Sequence, residues 1–385
     1  MILAGLFGLP AAHSAIPPSQ RVIIFMIDGF GEEYYRGSNM PFLNNMEKHG
    51  IYKVVPSLMP SVTNVNNAAI CTGVLPEKNG ITGNSYFDTA SGKEEFMEDP
   101  ALLLAPTIFE RAAKYGVRSA LFSSKQKTLE LLSRGSSIHV GPESVTPEWV
   151  ARVGAPPVVY SREVNYWLMN AAFWTMQHDT SISLYYIHVT DYPMHTWAAE
   201  ETESKEHLHT IDSLIGKIAA AMPDAMILIT ADHTVKHKDR CLDIERACTD
   251  AHLPIRIALS VERDKFVKHH RGFGGTSYVY LKDKKDLAAV SKFIGGLKGV
   301  ERVMTRADFA REYRQMPGRI GDLVVLGDEH TVFGNLDTEY EDLPAGYRTH
   351  GSTYEAHVPI FVYHARQAPA ASFFTSNYLL ASWLY

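Results

Sequence analysis

The sequence has few cysteines, no basic excess and no long apolar run. Cys71, Cys241 and Cys248 are too few for a disulfide framework, so we expect three structural thiols, with a Cys241–Cys248 bridge as the alternative. A net charge of -6 and a pI near 6.3 provide no basic footprint for a nucleic-acid polymer. No stretch approaches the roughly 20 apolar residues that span a bilayer, which predicts a soluble protein with no membrane partner.

Repeats and flexible linkers are also missing from the sequence, which predicts one large globular unit. Met1 to Ser14 is apolar but lacks a positive n-region, so residues 1–16 are either an atypical leader or a flexible N-terminus. We expect 17–385 to form a single α/β domain, with cap elements within 111–165 and 239–320. The thiols favour a cytoplasmic protein, and a genuine leader would make it periplasmic.

Short apolar runs followed by turns and helical patterns predict an α/β fold with parallel strands. The clearest runs are Arg21–Ile27, Leu184–Val189, Met226–Thr230 and Ile360–Tyr363. Each of the first three is followed within two residues by an aspartate, namely Asp28, Asp191 and Asp232. Because ligands collect at the carboxyl ends of strands in open α/β sheets, we expect these three carboxylates to share one site.

Amphipathic spacing predicts scaffold helices over Ala105–Tyr115 and Glu206–Met222. The segment 239–300 has mixed character, with a predicted strand at Thr276–Leu281 and a predicted helix at Asp286–Ile294. We interpret it as an insertion or cap near the site.

Histidine is unusually frequent, with 17 residues, and several histidines lie beside aspartates. Asp191 and His195 are four positions apart after one predicted strand, and Asp232 is followed directly by His233 after another. A lone Asp-His pair is usually a hydrogen-bonded surface arrangement. Two such pairs at two strand ends favour metal ligation, since carboxylate and imidazole together suit zinc.

A hydroxyl nucleophile is predicted at Thr63, near the first turn of a helix that begins after Pro60. The positive end of the helix dipole and a neighbouring divalent metal would favour an alkoxide there. The alternative is that Thr63 or Ser61 only caps the helix. With Asp28 and His350, the candidate ligands number seven, too many for one ion, and they divide into two sites about 4 Å apart that a substrate could bridge.

These motifs, in this order from Ile23 to Tyr363, resemble the alkaline phosphatase superfamily, specifically its nucleotide pyrophosphatase/phosphodiesterase branch. The resemblance implies a three-layer sandwich with a mainly parallel central sheet and a smaller cap. It also implies two Zn²⁺ ions, with replacement by Mn²⁺ or Fe²⁺ left open. The implied ligand sets are Asp191, His195 and His350 for one ion, and Asp28, Asp232, His233 and Thr63 for the other.

Within that branch the sequence is similar to the phosphonoacetate hydrolases. The likeness lies in Lys125 and Lys127, in the stretch around Asp191 and in the Val267–His270 segment. It implies that both lysines hold a substrate carboxylate, although a charged pair at a solvated helix start would look the same. Two ammonium groups would meet one anion if this segment were extended. His269 and His270 face the substrate or form a polar loop pair.

Asn84 resembles the asparagine that holds a transferring phosphoryl oxygen, and without the family it is equally a turn residue after Gly83. The implied reaction is attack of Thr63 on phosphorus, with a phosphothreonine intermediate and release of acetate and phosphate. Two departures from the family pattern are Thr234-Val235 after His233 and the asparagines at positions 64, 66 and 67.

The expected partner is therefore a small anionic phosphonate or phosphoester, and a homodimer is left open. A phosphodiesterase or nucleotide pyrophosphatase with the same metals is the main alternative, since Tyr86, Phe87 and Tyr192 offer aromatic surfaces for a base. A non-catalytic metal-binding protein is less compatible with a complete ligand set. A sugar-phosphate mutase would need an additional motif that we do not find.

Overall fold

The computed structural model describes residues 20–265 and 271–385 of the chain. The predicted leader, at 1–16, and His269 and His270 therefore lie outside the described residues. Numbered along the chain, the strands are β1 Val22–Ile27, β2 Ile51–Pro56, β3 Ser85–Asp88, β4 Lys93–Phe96, β5 Arg118–Ser123, β6 Ile138–Val140, β7 Ile182–Val189, β8 Met226–Thr230, β9 Lys236–His237, β10 Arg240–Leu242, β11 Ile255–Ser260, β12 Thr276–Leu281, β13 Val300–Thr305, β14 Leu323–Gly327, β15 Thr331–Phe333, β16 Tyr340–Asp342, β17 Arg348–Thr349 and β18 His357–Tyr363.

Helices alternate with the strands of the larger sheet. The α-helices are α1 Glu32–Gly37, α2 Pro41–His49, α3 Thr63–Thr72, α4 Pro76–Asn79, α5 Ile108–Ala113, α6 Gln126–Leu132, α7 Pro147–Val153, α8 Glu163–His178, α9 Tyr192–Thr196, α10 Thr202–Ala221, α11 Ile244–Asp250, α12 Leu287–Ile294 and α13 Arg306–Tyr313. The two predicted scaffold helices correspond to α5 and α10, and both are displaced by a few residues at their ends.

The central sheet has seven strands in the order β2-β18-β8-β1-β7-β5-β6. The pairings of β1 with β7 and β8, and of β5 with β6 and β7, are parallel. Every residue of β1 and β8 is buried, as expected for strands whose two faces are both covered. This confirms the predicted α/β class with a mainly parallel sheet.

One strand direction was predicted wrongly. The last apolar run, β18, is antiparallel to both of its neighbours, β2 and β8. Its apolar residues suit a buried strand of either direction, so composition alone could not show whether it runs parallel or antiparallel to its neighbours. The consequence is that His350, which precedes β18, reaches the site from a loop and not from a parallel strand end.

A second, antiparallel sheet has the order β11-β12-β14-β13. Strands β11 and β12 lie within the predicted insertion at 239–300, β13 begins at its last residue, and β14 lies beyond it. The sheet contains the predicted strand Thr276–Leu281 and packs with α12, the predicted helix, which begins at Leu287. The other segment expected to hold cap elements, 111–165, instead supplies β5 and β6 to the central sheet. These two strands belong to the central sheet and not to a cap, because β5 pairs with β7 and β6 pairs with β5.

All three cysteines are free and buried, as the composition predicted. Burial raises the pKa of the Cys71 thiol to about 11, so this residue behaves as a small core side chain.

Candidate metal centre

Asp28, Asp232 and His233 meet at the carboxyl ends of two adjacent parallel strands, β1 and β8. One ligand atom from each lies within 4.8 Å of the others, and all three side chains are buried. Gly29, directly after Asp28, has a φ of 76°, and a Cβ there would lie 3.0 Å from the Cβ of Asp191. Glycine thus lets the strand turn sharply and lets the second ligand group approach.

Asp191, His195 and His350 form a second group with the same spacing, again with atoms within 4.8 Å of one another. Asp191 is the N-cap residue of α9, and His195 lies one helical turn later on that helix. The Nε2 atom of His195 is 3.0 Å from a carboxylate oxygen of Asp191. His350 directly follows β17 and completes the group. The structure thus brings together the six predicted aspartate and histidine ligands of the two sites.

The three histidines are oriented in the same way. In His195, His233 and His350, Nδ1 contacts a backbone carbonyl oxygen at 2.8, 3.1 and 2.9 Å. The accepting carbonyls belong, in that order, to Arg348, Thr234 and Ser61. Because a carbonyl only accepts, each Nδ1 carries the proton, and Nε2 is directed towards the carboxylates. Ligating histidines commonly have this arrangement.

The donor chemistry fits two divalent cations. Oδ1 of Asp28, Oδ2 of Asp232 and Nε2 of His233 are buried and have no hydrogen-bond partner among the described residues. Burial and the nearby charge of Asp28 raise the pKa of Asp232. Burial and the His350 ring hold the pKa of His233 well below its usual value, which leaves a neutral ring able to ligate. Carboxylate and imidazole donors of this kind suit zinc.

Thr63 is the first residue of α3, a helix whose ten residues are all buried. Its hydroxyl oxygen lies 3.3 Å from Nζ of Lys125, which donates to it. The same ammonium group is 2.6 Å from Asp28 and 2.8 Å from Asp191. Thr63 therefore faces the carboxylates of both ligand groups, and neither Thr63 nor Ser61 supplies a side-chain cap to the helix.

The expectation for the Lys125–Lys127 segment was only partly met. Lys125 is the N-cap residue of α6 and Lys127 lies in its first turn, so the segment is not fully extended. Neither lysine is solvated, because their side chains are only 15% and 4% exposed. Lys125 lies against the carboxylates of the centre, and Lys127 forms an ion pair with Asp264.

Asn84 is buried and has a precise hydrogen-bonding role. Its Oδ1 accepts from the backbone N–H of Asn64 at 3.1 Å, at the start of α3. Its Nδ2 donates to the Glu262 carboxylate at 3.0 Å. The side chain therefore holds the helix start with one atom and directs a donor towards the cap with the other.

The asparagines after Thr63 have structural roles. Asn66 and Asn67 bond to backbone carbonyls of Val62 and Thr63 at 3.3 and 3.2 Å. Asn64 donates to the carbonyl of Met97. These contacts hold the start of α3 and link it to the segment that contains Met97.

Sequence reasoning missed His188, Glu262 and Asp264. His188 lies in β7, its Nε2 is 3.0 Å from Asp28 and its Nδ1 is 3.0 Å from the hydroxyl of Ser123. A polar residue inside an apolar strand just before Asp191 was the available signal. Glu262 and Asp264 follow β11 in the second sheet, and nothing in their local sequence distinguishes them from surface acids.

The loop that carries His350 is anchored by an ion pair between Lys238 and Glu355, whose side chains are both 0% exposed. Lys238 Nζ lies 2.7 Å from Glu355 Oε1. The other Glu355 oxygen accepts from the hydroxyl of Ser352 at 2.6 Å. Ser61 in turn donates to the carbonyl of Ser352 at 2.7 Å, so one network spans the loop and the entry to α3.

Replacing Lys238 with methionine is expected to lower the free energy of unfolding by about 3–5 kcal/mol, because the Glu355 carboxylate would stay buried without its counter-ion. Urea denaturation followed by circular dichroism measures this. Lys236→Met is the matched control, since Lys236 is partly exposed and 4.0 Å from Glu329. It should change stability by less than about 1 kcal/mol. Equal effects in the two variants would contradict the anchoring role.

An α/β sheet with two adjacent Asp/His ligand groups and a buried threonine at a helix start defines a metallohydrolase-type site. The chain belongs to the type I phosphodiesterase / nucleotide pyrophosphatase family, whose profile matches residues 22–353. Members of this family are metalloenzymes, in agreement with the two ligand groups.

Solved structures agree with this assignment over nearly the whole chain. Phosphonoacetate hydrolase from Sinorhizobium meliloti 1021, in complex with phosphonoacetate, has a TM-score of 0.86 and 26% identity. The match covers 96% of this chain and 95% of that one. The alkaline-phosphatase-like fold that the motifs implied is therefore confirmed.

Curated relatives match over shorter stretches. An uncharacterized pyrophosphatase/phosphodiesterase of Schizosaccharomyces pombe is 35% identical over 109 residues, which cover 26% of this chain and 22% of the relative. Mouse bis(5'-adenosyl)-triphosphatase enpp4 is 23% identical over 252 residues, covering 62% of this chain and 52% of the relative. The chain thus spans about half or less of the length of these relatives. Within residues 20–265 and 271–385, no helix has the length and apolarity needed to cross a membrane.

Proposed function

We propose that this chain hydrolyses the carbon–phosphorus bond of phosphonoacetate, giving acetate and phosphate through a phosphothreonine on Thr63. The observation that carries the proposal is the position of Thr63 Oγ1, which faces two complete ligand groups and lies 3.3 Å from the Lys125 ammonium. The structural likeness to a phosphonoacetate hydrolase supports the choice of substrate.

The metal ions belong to the proposal as well. Two zinc ions held by the two ligand groups would neutralise phosphoryl charge and favour ionisation of the attacking hydroxyl. The ligands would be Asp28, Asp232, His233 and Thr63 for one ion and Asp191, His195 and His350 for the other.

In the first step Thr63 Oγ1 gives up its proton to solvent and bonds to phosphorus, and the phosphorus–carbon bond breaks, with its electron pair moving to carbon. The charge spreads into the substrate carboxylate, and a proton from water converts the carbanion to acetate. Water then attacks phosphorus and releases phosphate, which restores the hydroxyl. Lys125 would stabilise the developing negative charge, and Asn84 would orient a phosphoryl oxygen.

Aromatic side chains favour the phosphodiesterase alternative only weakly. Phe87 packs against Tyr280 in a hydrophobic cluster on the second sheet. Its ring is therefore not available to stack on a nucleobase. Tyr192 is half-buried beside Asp191, with its ring 6.3 Å from that of Trp197. A diester with an aromatic leaving group could use this surface.

The test is a substrate comparison on the zinc-loaded protein. Phosphonoacetate, a phosphonate monoester, bis(4-nitrophenyl) phosphate and a nucleotide are incubated in parallel, and phosphate and organic products are measured. We expect fast phosphate and acetate release from phosphonoacetate. Cleavage of the diesters with phosphonoacetate inert would overturn the substrate assignment and support the phosphodiesterase alternative.

Lys125→Ala is expected to lower kcat/KM for phosphonoacetate by about 10²-fold, because a preorganised charge beside the nucleophile is lost. Steady-state phosphate release measures the change. Lys285→Ala is the control, since Lys285 is 77% exposed on the second sheet's side of the molecule and pairs with Asp283. Unchanged activity in Lys125→Ala would remove this lysine from the mechanism.

A further inference from the structure

Two carboxylates enter the site from the cap, directly after β11. The side chains of Glu262 and Asp264 are only 3% and 1% exposed. They lie two positions apart in the chain, and each contacts a different group of the proposed substrate site. Buried acids beside an anion-binding site need a specific reason, because they repel the ligand.

Glu262 contacts the side where the phosphoryl group is proposed to lie. Its Oε2 accepts from Nδ2 of Asn84 at 3.0 Å, and its Oε1 is 3.4 Å from Nε2 of His350. Asn84 is the residue proposed to donate a hydrogen bond to a phosphoryl oxygen of the substrate. The Glu262 carboxylate therefore uses the Asn84 contact that a phosphoryl oxygen would make.

Asp264 contacts the side where the substrate carboxylate is proposed to lie. It forms an ion pair with Lys127, whose side chain is 4% exposed. Lys127 is one of the two lysines proposed to hold that carboxylate. A protein carboxylate thus makes the contact that the second anionic group of phosphonoacetate would make.

We propose that Glu262 and Asp264 are specificity-determining residues that act as an internal counterpart of a substrate with two anionic groups. The proposal rests on the proposed function of this site. A phosphonate that also bears a carboxylate replaces both contacts like for like. A monoanionic diester replaces only the first and leaves the Asp264–Lys127 pair intact. The Asp264–Lys127 pair therefore weakens binding of the doubly anionic compound relative to a monoanionic diester, and this difference is the discrimination that the two acids set.

The main experiment compares zinc-loaded wild-type protein with Asp264→Asn. The readout is the inhibition constant of phosphonoacetate against Thr63-dependent hydrolysis of bis(4-nitrophenyl) phosphate. Removing the competing charge should lower this constant by about tenfold, within the range of typical coupling between two ligands. KM for the diester should change by less than about twofold.

Asp322→Asn is the matched control, since Asp322 pairs with Arg306 at 2.9 Å on the second sheet and does not contact the site. It should leave both constants unchanged. A higher inhibition constant of phosphonoacetate in Asp264→Asn would show that Asp264 positions Lys127 for the substrate. Equal changes in this constant and in KM for the diester would show that the substitution disrupts the whole site. Either result overturns the proposal.

Hydrogen exchange on the wild-type protein gives an answer even if Asp264→Asn does not fold. Phosphonoformate, which is bound in a solved complex of the Sinorhizobium meliloti enzyme, serves as the probe. Displacement of the two acids should speed exchange of the backbone amides of Val261–Lys265 several-fold. Unchanged or slower exchange would contradict displacement.

The outcomes separate the two proposals. If phosphonoacetate is not hydrolysed but inhibits Asp264→Asn more tightly than wild type, the specificity role stands and the substrate assignment fails. If it is hydrolysed and Asp264→Asn shows no selective change, the function stands and the specificity role fails.

Discussion

Thr63→Ala is expected to lower kcat for phosphate release by on the order of 10⁴-fold or more, since removal of a catalytic nucleophile has effects of this size. The residue is buried at the first position of α3, and its hydroxyl accepts from the Lys125 ammonium group that also contacts Asp28 and Asp191. Steady-state phosphate release from phosphonoacetate measures the loss. Acid quenching followed by mass spectrometry should detect phosphate on Thr63 in the wild type only.

Thr63→Ser is the matched control because it keeps the hydroxyl and removes only a methyl group. It should retain a measurable fraction of activity and show phosphoserine after quenching. Substantial turnover in Thr63→Ala, or a labelled residue elsewhere in the chain, would contradict the covalent mechanism.

Asp232→Asn is expected to have the second large effect, on metal content. The side chain is fully buried, one oxygen has no hydrogen-bond partner, and the amide would replace an anionic ligand with a neutral one. Bound zinc should fall from about two ions to about one ion per chain, because the second ligand group is unaltered. Metal analysis after dialysis measures this independently of activity.

Asp191→Asn should remove the other ion by the same reasoning. His237→Asn is the control, since His237 pairs with Asp239 at 2.7 Å on the surface and belongs to neither group. A control that loses zinc, or an Asp232→Asn protein that keeps its full content, would contradict the assignment of ligands.

The strand ends were predictable because the relevant physics is local. An apolar run that ends in aspartate needs only the rule that parallel strands present their carboxyl ends at one edge. Asp28, Asp191 and Asp232 follow β1, β7 and β8, which are neighbours in the sheet. The direction of β18 was not predictable, because nothing in a buried apolar run distinguishes a parallel strand from an antiparallel one.

By itself, the sequence determined the α/β class, the strand ends that carry the three aspartates and the pairing of aspartate with histidine, since these depend on periodicity and on neighbouring residues. Tertiary structure alone decided which charges meet across the cap. Glu262 contacts Asn84 from 178 positions away, and its segment has no pattern that sets it apart. Such contacts depend on how a second sheet docks on the first, so only the folded chain shows that two buried acids lie against the groups proposed to bind the substrate.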